Sequence, residues 1–212
     1  MRKAFVLCAL ALAACAQPQH YSYPPTYEAP MAPPQPRQTP PPTYTAPTPP
    51  PRSVKPFGVG LLTAKSVGGY IDSEERELRA DLRGSGVGVS RPGDAITLLV
   101  RDDVLFQRDS TTLSVRGAQI VSAIAAVAGK YDSTVLTVNG YTDTAGPPDR
   151  NMQVSQQRAD AIAHALAAAG IDAHRISAHG LGATHLKIPT GPDASEPRNR
   201  RIEILITPKM VG

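Results

Sequence analysis

Gly140-Tyr141-Thr142-Asp143-Thr144-Ala145-Gly146, followed by Asn151, Ser155 and Arg158, decides the fold of this chain. The run ends a strand, leaves a carboxylate at its tip, and starts a helix that returns a guanidinium fifteen residues later. At about 3.6 residues per turn, side chains three and four apart share a helix face. Over 151–169 the apolar positions Val154, Ile162, Ala165, Leu166 and Ala169 gather on one side, and Asn151, Ser155 and Arg158 fall along that same side. Gln153, Gln156, Gln157, Asp160 and His164 take the opposite, solvent face. Burying polar groups without partners is costly. The three inward polar residues therefore ask for a ligand, or for an internal partner such as Asp143.

Working outward, Val135 to Tyr141 reads as the strand that leads into this turn, and Gly170 as the C-cap of the helix. Upstream, Leu113, Ile120, Ile124 and Val127 recur at helical spacing, which predicts a helix from about Ser114 to Lys130. Before it, a loop carries Leu105, Phe106 and Asp109. Residues 86–90, the turn Arg91-Pro92-Gly93-Asp94, and Ala95 to Val100 read as a hairpin. A short helix is predicted over 73–83, with Ser73 as N-cap, acids in its first turn and arginines in its last. The segment 57–70 has no assignable pattern. Arg175 to Gly180 and the alternating Arg201-Ile202-Glu203-Ile204-Leu205-Ile206-Thr207 supply two further strands. Strands interleaved with helices predict an α/β two-layer sandwich, with helices on one face of a small mixed β-sheet.

Composition sets the rest of the chain apart. Residues 18–56 hold fifteen of the twenty-two prolines and four of the seven tyrosines, with almost no aliphatic side chain. Such a segment buries too little apolar surface to offset its chain entropy, and is expected to be disordered or polyproline-like. At ~3.1 Å per residue, thirty-nine residues extend to ~120 Å. That suits a spacer; a docking strip for a proline-recognising partner is the alternative. The basic balance does not point to nucleic acid. Residues 57–212 carry seventeen Lys and Arg against seventeen Asp and Glu, so the net +4 comes from Arg2 and Lys3 and from the linker. With no basic stripe and no Trp, nucleic-acid binding is not expected.

Met1-Arg2-Lys3 followed by the short apolar run 4–14 suits a secretory signal rather than a membrane span. Leu12-Ala13-Ala14-Cys15 resembles a bacterial lipobox, which implies cleavage after residue 14 and lipidation of Cys15. An ordinary signal cut after Ala14 is the alternative. Ala16, where an Asp would retain the protein at the inner membrane, implies sorting to the outer membrane. Cys8 leaves with the signal, so Cys15 is alone and no internal disulfide is expected. No cofactor is expected. His174, His179 and His185 lack the cysteine or acid spacing of a metal site, and no nucleophile–base pair completes a catalytic set around Thr142, Asp143 and Asp149. An enzyme is therefore not expected.

Asn139-Gly140-Tyr141-Thr142-Asp143-Thr144-Ala145-Gly146, Asn151, Val154-Ser155-Gln156-Gln157-Arg158-Ala159, Arg175-Ile176, Gly180-Leu181-Gly182 and Asn199-Arg200-Arg201-Ile202-Glu203-Ile204 occur in order. Together they resemble the OmpA-like peptidoglycan-binding domain over about 94–208. With the lipobox and the 73–93 segment, the chain is similar to the outer-membrane lipoprotein branch of that family, the YiaD-type proteins. The Pro-rich tract stands where that branch has a glycine-rich one. The organisation implied is a signal peptide at 1–14, a lipidated N-terminus and linker at 15–56, an extension at 57–93, and the OmpA-like domain at 94–208.

The resemblance implies non-covalent recognition of the diaminopimelate residue of peptidoglycan stem peptides. Asp143 is expected to pair with that residue's ammonium and Arg158 with the adjacent carboxylate. Asn151 and Asp109 match further contact positions, as does Asn199 with either Arg200 or Arg201. Arg108 beside Asp109 departs from the family's apolar or small residue. A zwitterionic end needs one anion and one cation a few ångströms apart, and Arg supplies a two-donor fork that Lys does not. A structural salt bridge between Asp143 and Arg158 is the plain alternative, and is compatible with the ligand role. The expected partners are peptidoglycan and, through the lipid anchor, the outer membrane. A wall-anchored part of a secretion, motility or envelope-assembly complex is the competing function.

Overall fold

The computed structural model describes residues 61–210. The signal peptide, Cys15 and the Pro-rich linker lie outside the described residues. The elements in chain order are α1 (Val67–Asp81), β1 (Gly88–Ser90), β2 (Ile96–Arg101), α2 (Asp102–Leu105), α3 (Val115–Ala128), β3 (Thr134–Tyr141), α4 (Pro148–Ala168), β4 (Ile176–Gly180) and β5 (Arg201–Pro208). The sheet order is β1-β2-β5-β3-β4. All pairs are antiparallel except β3 with β4, which α4 joins as a parallel crossover. This is the mixed sheet and two-layer sandwich that the sequence predicts.

Strand alternation builds the core. Ile96, Leu98 and Val100 on β2, Ile202, Ile204 and Ile206 on β5, and Leu136 and Val138 on β3 are all buried. Register aligns them in rows such as Leu98–Ile204–Val138, so one face of the sheet is continuously apolar. Ile120, Ile124, Ile162 and Leu166 from α3 and α4 close over it. Ser114, where the predicted helix begins, caps α3, its side chain accepting from Gly117 N. Gly170 follows α4 with a left-handed φ of 98°.

Three details differ from the sequence expectation. First, α1 begins at Val67, not at Ser73, and ends at Asp81. Gly68 and Gly69 cost ~1 kcal/mol each against Ala in a helix. Burial of Val67, Ile71 and Leu78 contributes about 2 kcal/mol per side chain and wins. Ser73 therefore sits inside the helix and donates to Gly69 O at 2.9 Å instead of capping. Second, the segment after β2 opens with the single helical turn α2 where a loop is expected. Third, Gln156 does not face solvent. It is half-buried, donates to Ala178 O (3.3 Å), and accepts from Gly180 N (2.7 Å) on β4.

Residues 61–93 share this core. Leu62 bridges to Met210, α1 packs on α3, and Arg91 of the hairpin turn binds Asp72 and reaches Glu75 at 3.6 Å. Glu74 of α1 is fully buried. Thr134 Oγ1 donates to one of its carboxyl oxygens at 3.4 Å, and the other has no hydrogen-bond partner.

Candidate functional site

The C-terminal ends of β2, β3 and β4 and the N-terminal end of β5 meet at one rim of the sheet. Two glycines let α4 settle onto that rim. Gly140 and Gly180 are register partners on β3 and β4. A Cβ on Gly140 would overlap Ser155 O and stand 3.1 Å from Ser155 C, and one on Gly180 would stand 2.6 Å from Gln156 Cα. Helix backbone thus lies directly on strand backbone, which fixes where Arg158, one turn further on, can reach. Ser155 closes the contact, donating to Met152 O (2.8 Å) and accepting from Gly182 N (2.9 Å).

Four charged side chains converge there. Arg158 Nη1 donates to Asp102 Oδ2 at 3.0 Å, and Arg200 Nε lies 3.4 Å from the same oxygen. Arg200 Nη1 then donates to Asp143 Oδ2 at 2.7 Å. The order is Arg158–Asp102–Arg200–Asp143, two cations and two anions. Arg158 thus has an internal partner, but it is Asp102 and not Asp143 as the salt-bridge alternative has it. Its guanidinium also lies 5.4 Å from the Phe106 ring centre, and Nη2 reaches Ser110 O at 3.5 Å. Arg158 Nε is buried with no hydrogen-bond partner. Burial pushes the Asp102 carboxyl above its ordinary range, and the neighbouring Arg158 and Arg200 pull the other way.

Asp143 is buried, and its carboxylate is held by backbone as well. Ala145 N donates to Oδ1 at 3.3 Å and Glu196 N to Oδ2 at 3.1 Å. Asn151 donates from Nδ2 to Asp143 O (3.3 Å) and Ala145 O (3.1 Å), so it fixes the β3–α4 loop rather than joining the charged chain. Asp109 is exposed at a left-handed φ of 53°, tolerable for Asp, in the 107–112 turn that presents Ser110 O to Arg158. Asn199 is buried and clasps Ile188 through both backbone groups at 2.8 Å.

The two neighbouring arginines separate cleanly. Arg200 is in the cluster. Arg201 is buried over the Tyr141 ring at 3.8 Å, bonded to Glu203 (2.7 Å), Asn199 O (3.1 Å) and His185 O (3.0 Å), and does not reach Asp143. Sequence reasoning missed Asp102. The signal was present: Ile96, Leu98 and Val100 point inward on alternate positions of β2, and the next position on that face is Asp102. Among the described residues no group of His, Cys, Asp and Glu has metal-site geometry, and no helix is long and apolar enough to cross a membrane.

This arrangement can hold a small ligand carrying both charges. Residues 105–200 match the model of the OmpA family. The probable lipoprotein YiaD of Escherichia coli is 42% identical over 142 residues, which is 67% of this chain and 65% of that one. A peptidoglycan-binding protein of Mycobacterium tuberculosis, ArfA, is 29% identical over 112 residues, 53% of this chain and 34% of its own. The chain thus spans less than two thirds of the length of either relative. Among solved structures, the cell wall anchor of the type VI secretion system from Pseudomonas aeruginosa superposes with a TM-score of 0.53. It is 30% identical, over 63% of this chain and 95% of that one.

Proposed function

Residues 105–200 make this chain a member of the OmpA family, and from that membership we propose that it is an outer-membrane lipoprotein that grips peptidoglycan by binding rather than turnover. The ligand is the diaminopimelate residue of the stem peptide. Its ammonium goes to Asp143 and its carboxylate to Arg158 and Arg200. The supporting observation is the buried Arg158 guanidinium, whose Nε has no partner and which ends a neutral chain of four charges with Asp102, Arg200 and Asp143. A fork with a spare donor suits an incoming carboxylate. Charge-assisted hydrogen bonds contribute ~1.5–3 kcal/mol each, so one site holds modestly. The polymeric wall and a tethered domain raise effective concentration and strengthen attachment.

The test is cosedimentation of the chain from residue 16 onward with purified sacculi. Arg158→Ala and Arg158→Lys are expected to lose most binding, about tenfold or more, while circular dichroism stays native. Asp143→Ala should lose binding too. It also strips a partner from Arg200 and from two backbone amides, so Arg158→Ala is the cleaner variant. A folded Arg158→Ala protein that sediments as well as wild type rejects this function.

The anchor is proposed at Cys15, with residues 15–56 as the tether that spans from membrane to wall. Cys15→Ser is expected to abolish labelling by a palmitate analogue; equal labelling of the mutant would show that Cys15 is not the anchor. A second reading follows from the likeness to the Pseudomonas wall anchor: the domain serves as the fixed point of a larger envelope assembly. Proteins copurifying through residues 61–93 would favour it.

A further inference from the structure

Resting on that reading of the site, we propose that Arg200 sets its specificity. In the free protein its guanidinium occupies Asp143, and it yields that place only to an ammonium that arrives with an adjacent carboxylate.

Asp143 is shielded, with a side chain 6% exposed, and three donors hold it. Two are backbone amides fixed by their loops. The third is Arg200, 29% exposed, on a long flexible side chain. Asp102 and Arg158 are 10% and 11% exposed, so Arg200 is the charged member of the cluster that can swing out. Its other polar partners are Ser195 Oγ at 3.1 Å and the Asp102 carboxylate at 3.4 Å. A ligand ammonium that reaches Asp143 takes the place of Arg200 Nη1.

Charge then decides which ligands succeed. A bare amine leaves three cations (its own, Arg158 and Arg200) facing two carboxylates in a largely desolvated space, and an uncompensated charge there is strongly disfavoured. A ligand that brings a carboxylate beside its ammonium restores three against three. That carboxylate has two places to bind: the unpartnered Nε of Arg158 and the fork that Arg200 has just freed. The site so built selects the zwitterionic end of an amino acid over an amine of equal length.

The experiment is an NMR titration of full-length protein in detergent with meso-diaminopimelate and, separately, with 1,5-diaminopentane, which has the same chain without carboxylates. Wild type is expected to prefer diaminopimelate strongly. Arg200→Gln should bind diaminopentane about tenfold better than wild type and diaminopimelate about tenfold worse, roughly one charge-assisted hydrogen bond each way. Arg200→Lys, which keeps the charge and loses the fork, should shift the ratio in the same direction by less, and serves if Arg200→Gln does not fold. An unchanged ratio in a folded variant, whether both affinities fall together or neither moves, overturns the proposal. Binding of diaminopimelate that still depends on Arg158 would then leave the function above standing. A wild-type protein that ignores diaminopimelate overturns both.

Discussion

Gly140→Ala is expected to destabilise the domain by about 3 kcal/mol or more and to remove wall binding in the same step. The added methyl would overlap Ser155 O and crowd Ser155 C at 3.1 Å, and both are helix backbone atoms that no rotamer change can move aside. Overpacking a tight contact costs ~1–3 kcal/mol where side chains can give way; backbone against backbone lies at the upper end or beyond. For a domain of about 150 residues, 3 kcal/mol lowers Tm by roughly 6–12 °C. Relief comes from lifting α4 off the sheet, and Arg158 rides on α4 only three residues beyond Ser155. Binding geometries tolerate ~0.5 Å, so even a protein that remains folded should bind sacculi poorly. Gly180→Ala should act alike, through Gln156 Cα at 2.6 Å. Gly68→Ala is the control. Nothing lies within 4 Å of its added methyl, and in the first turn of α1 the change should be neutral or stabilise by up to ~1 kcal/mol. Thermal melts of the three variants decide the matter: a Gly140→Ala melt within 2 °C of wild type, with binding intact, would show that α4 is not seated by these glycines.

The same contact shows what a sequence can and cannot carry. The rows of Ile, Leu and Val on β2, β3 and β5 are visible as alternation, and the α3 cap is visible as Ser114, because both are local patterns. Asp143 and Arg158 are visible as polar residues where a buried stripe or a strand tip leads. Their partners are not. Arg158 meets Asp102 from β2's end and Arg200 meets Asp143 across the sheet, and spacing along one helix says nothing about which acid arrives from another strand. Gln156 was misplaced for a related reason. At ~100° per residue it flanks the buried stripe, one residue from Ser155, and α4 lies so close over Gly180 that the side chain bonds the backbone of β4. The α1 start was obscured by Gly68-Gly69, whose poor propensity is outweighed by tertiary burial.

Below the site, at the opposite end of β3, Glu74 gives the second large effect, a stability that falls as pH rises. Burial pushes its carboxyl to about 8 from an ordinary 4.5, against the pull of Arg175 and the Thr134 hydroxyl. Arg175 does not neutralise it at contact distance, because that guanidinium is occupied by Thr134 O (2.8 Å), Ala128 O (3.1 Å) and Tyr131 O (2.7 Å). Tyr70, Tyr131 and Glu77 also face this pocket, and Glu77 adds repulsion. The sign follows from the neutral form being the folded one. Below pH 4.5 Glu74 is protonated in both states and its contribution is fully present. Between 4.5 and 8 the unfolded chain releases the proton while the folded chain keeps it, and stability drops by ~1.4 kcal/mol per pH unit. Above 8 the loss is complete. Glu77 and Glu196 are shifted downward and act in acid, outside this window, whereas Asp102 is shifted upward by burial and acts in the same direction as Glu74. Urea unfolding should therefore give a wild-type protein about 3 kcal/mol less stable at pH 8 than at pH 5. Glu74→Gln, equal in shape and unable to ionise, should flatten the difference to within about 1 kcal/mol and be the more stable protein at pH 8. Glu74→Met should do the same while removing the unpartnered oxygen, since Thr134 Oγ1 keeps Tyr131 O at 3.0 Å. A wild-type stability that stays level from pH 5 to 8 would mean that Glu74 ionises freely, and that α1 does not hold it away from water.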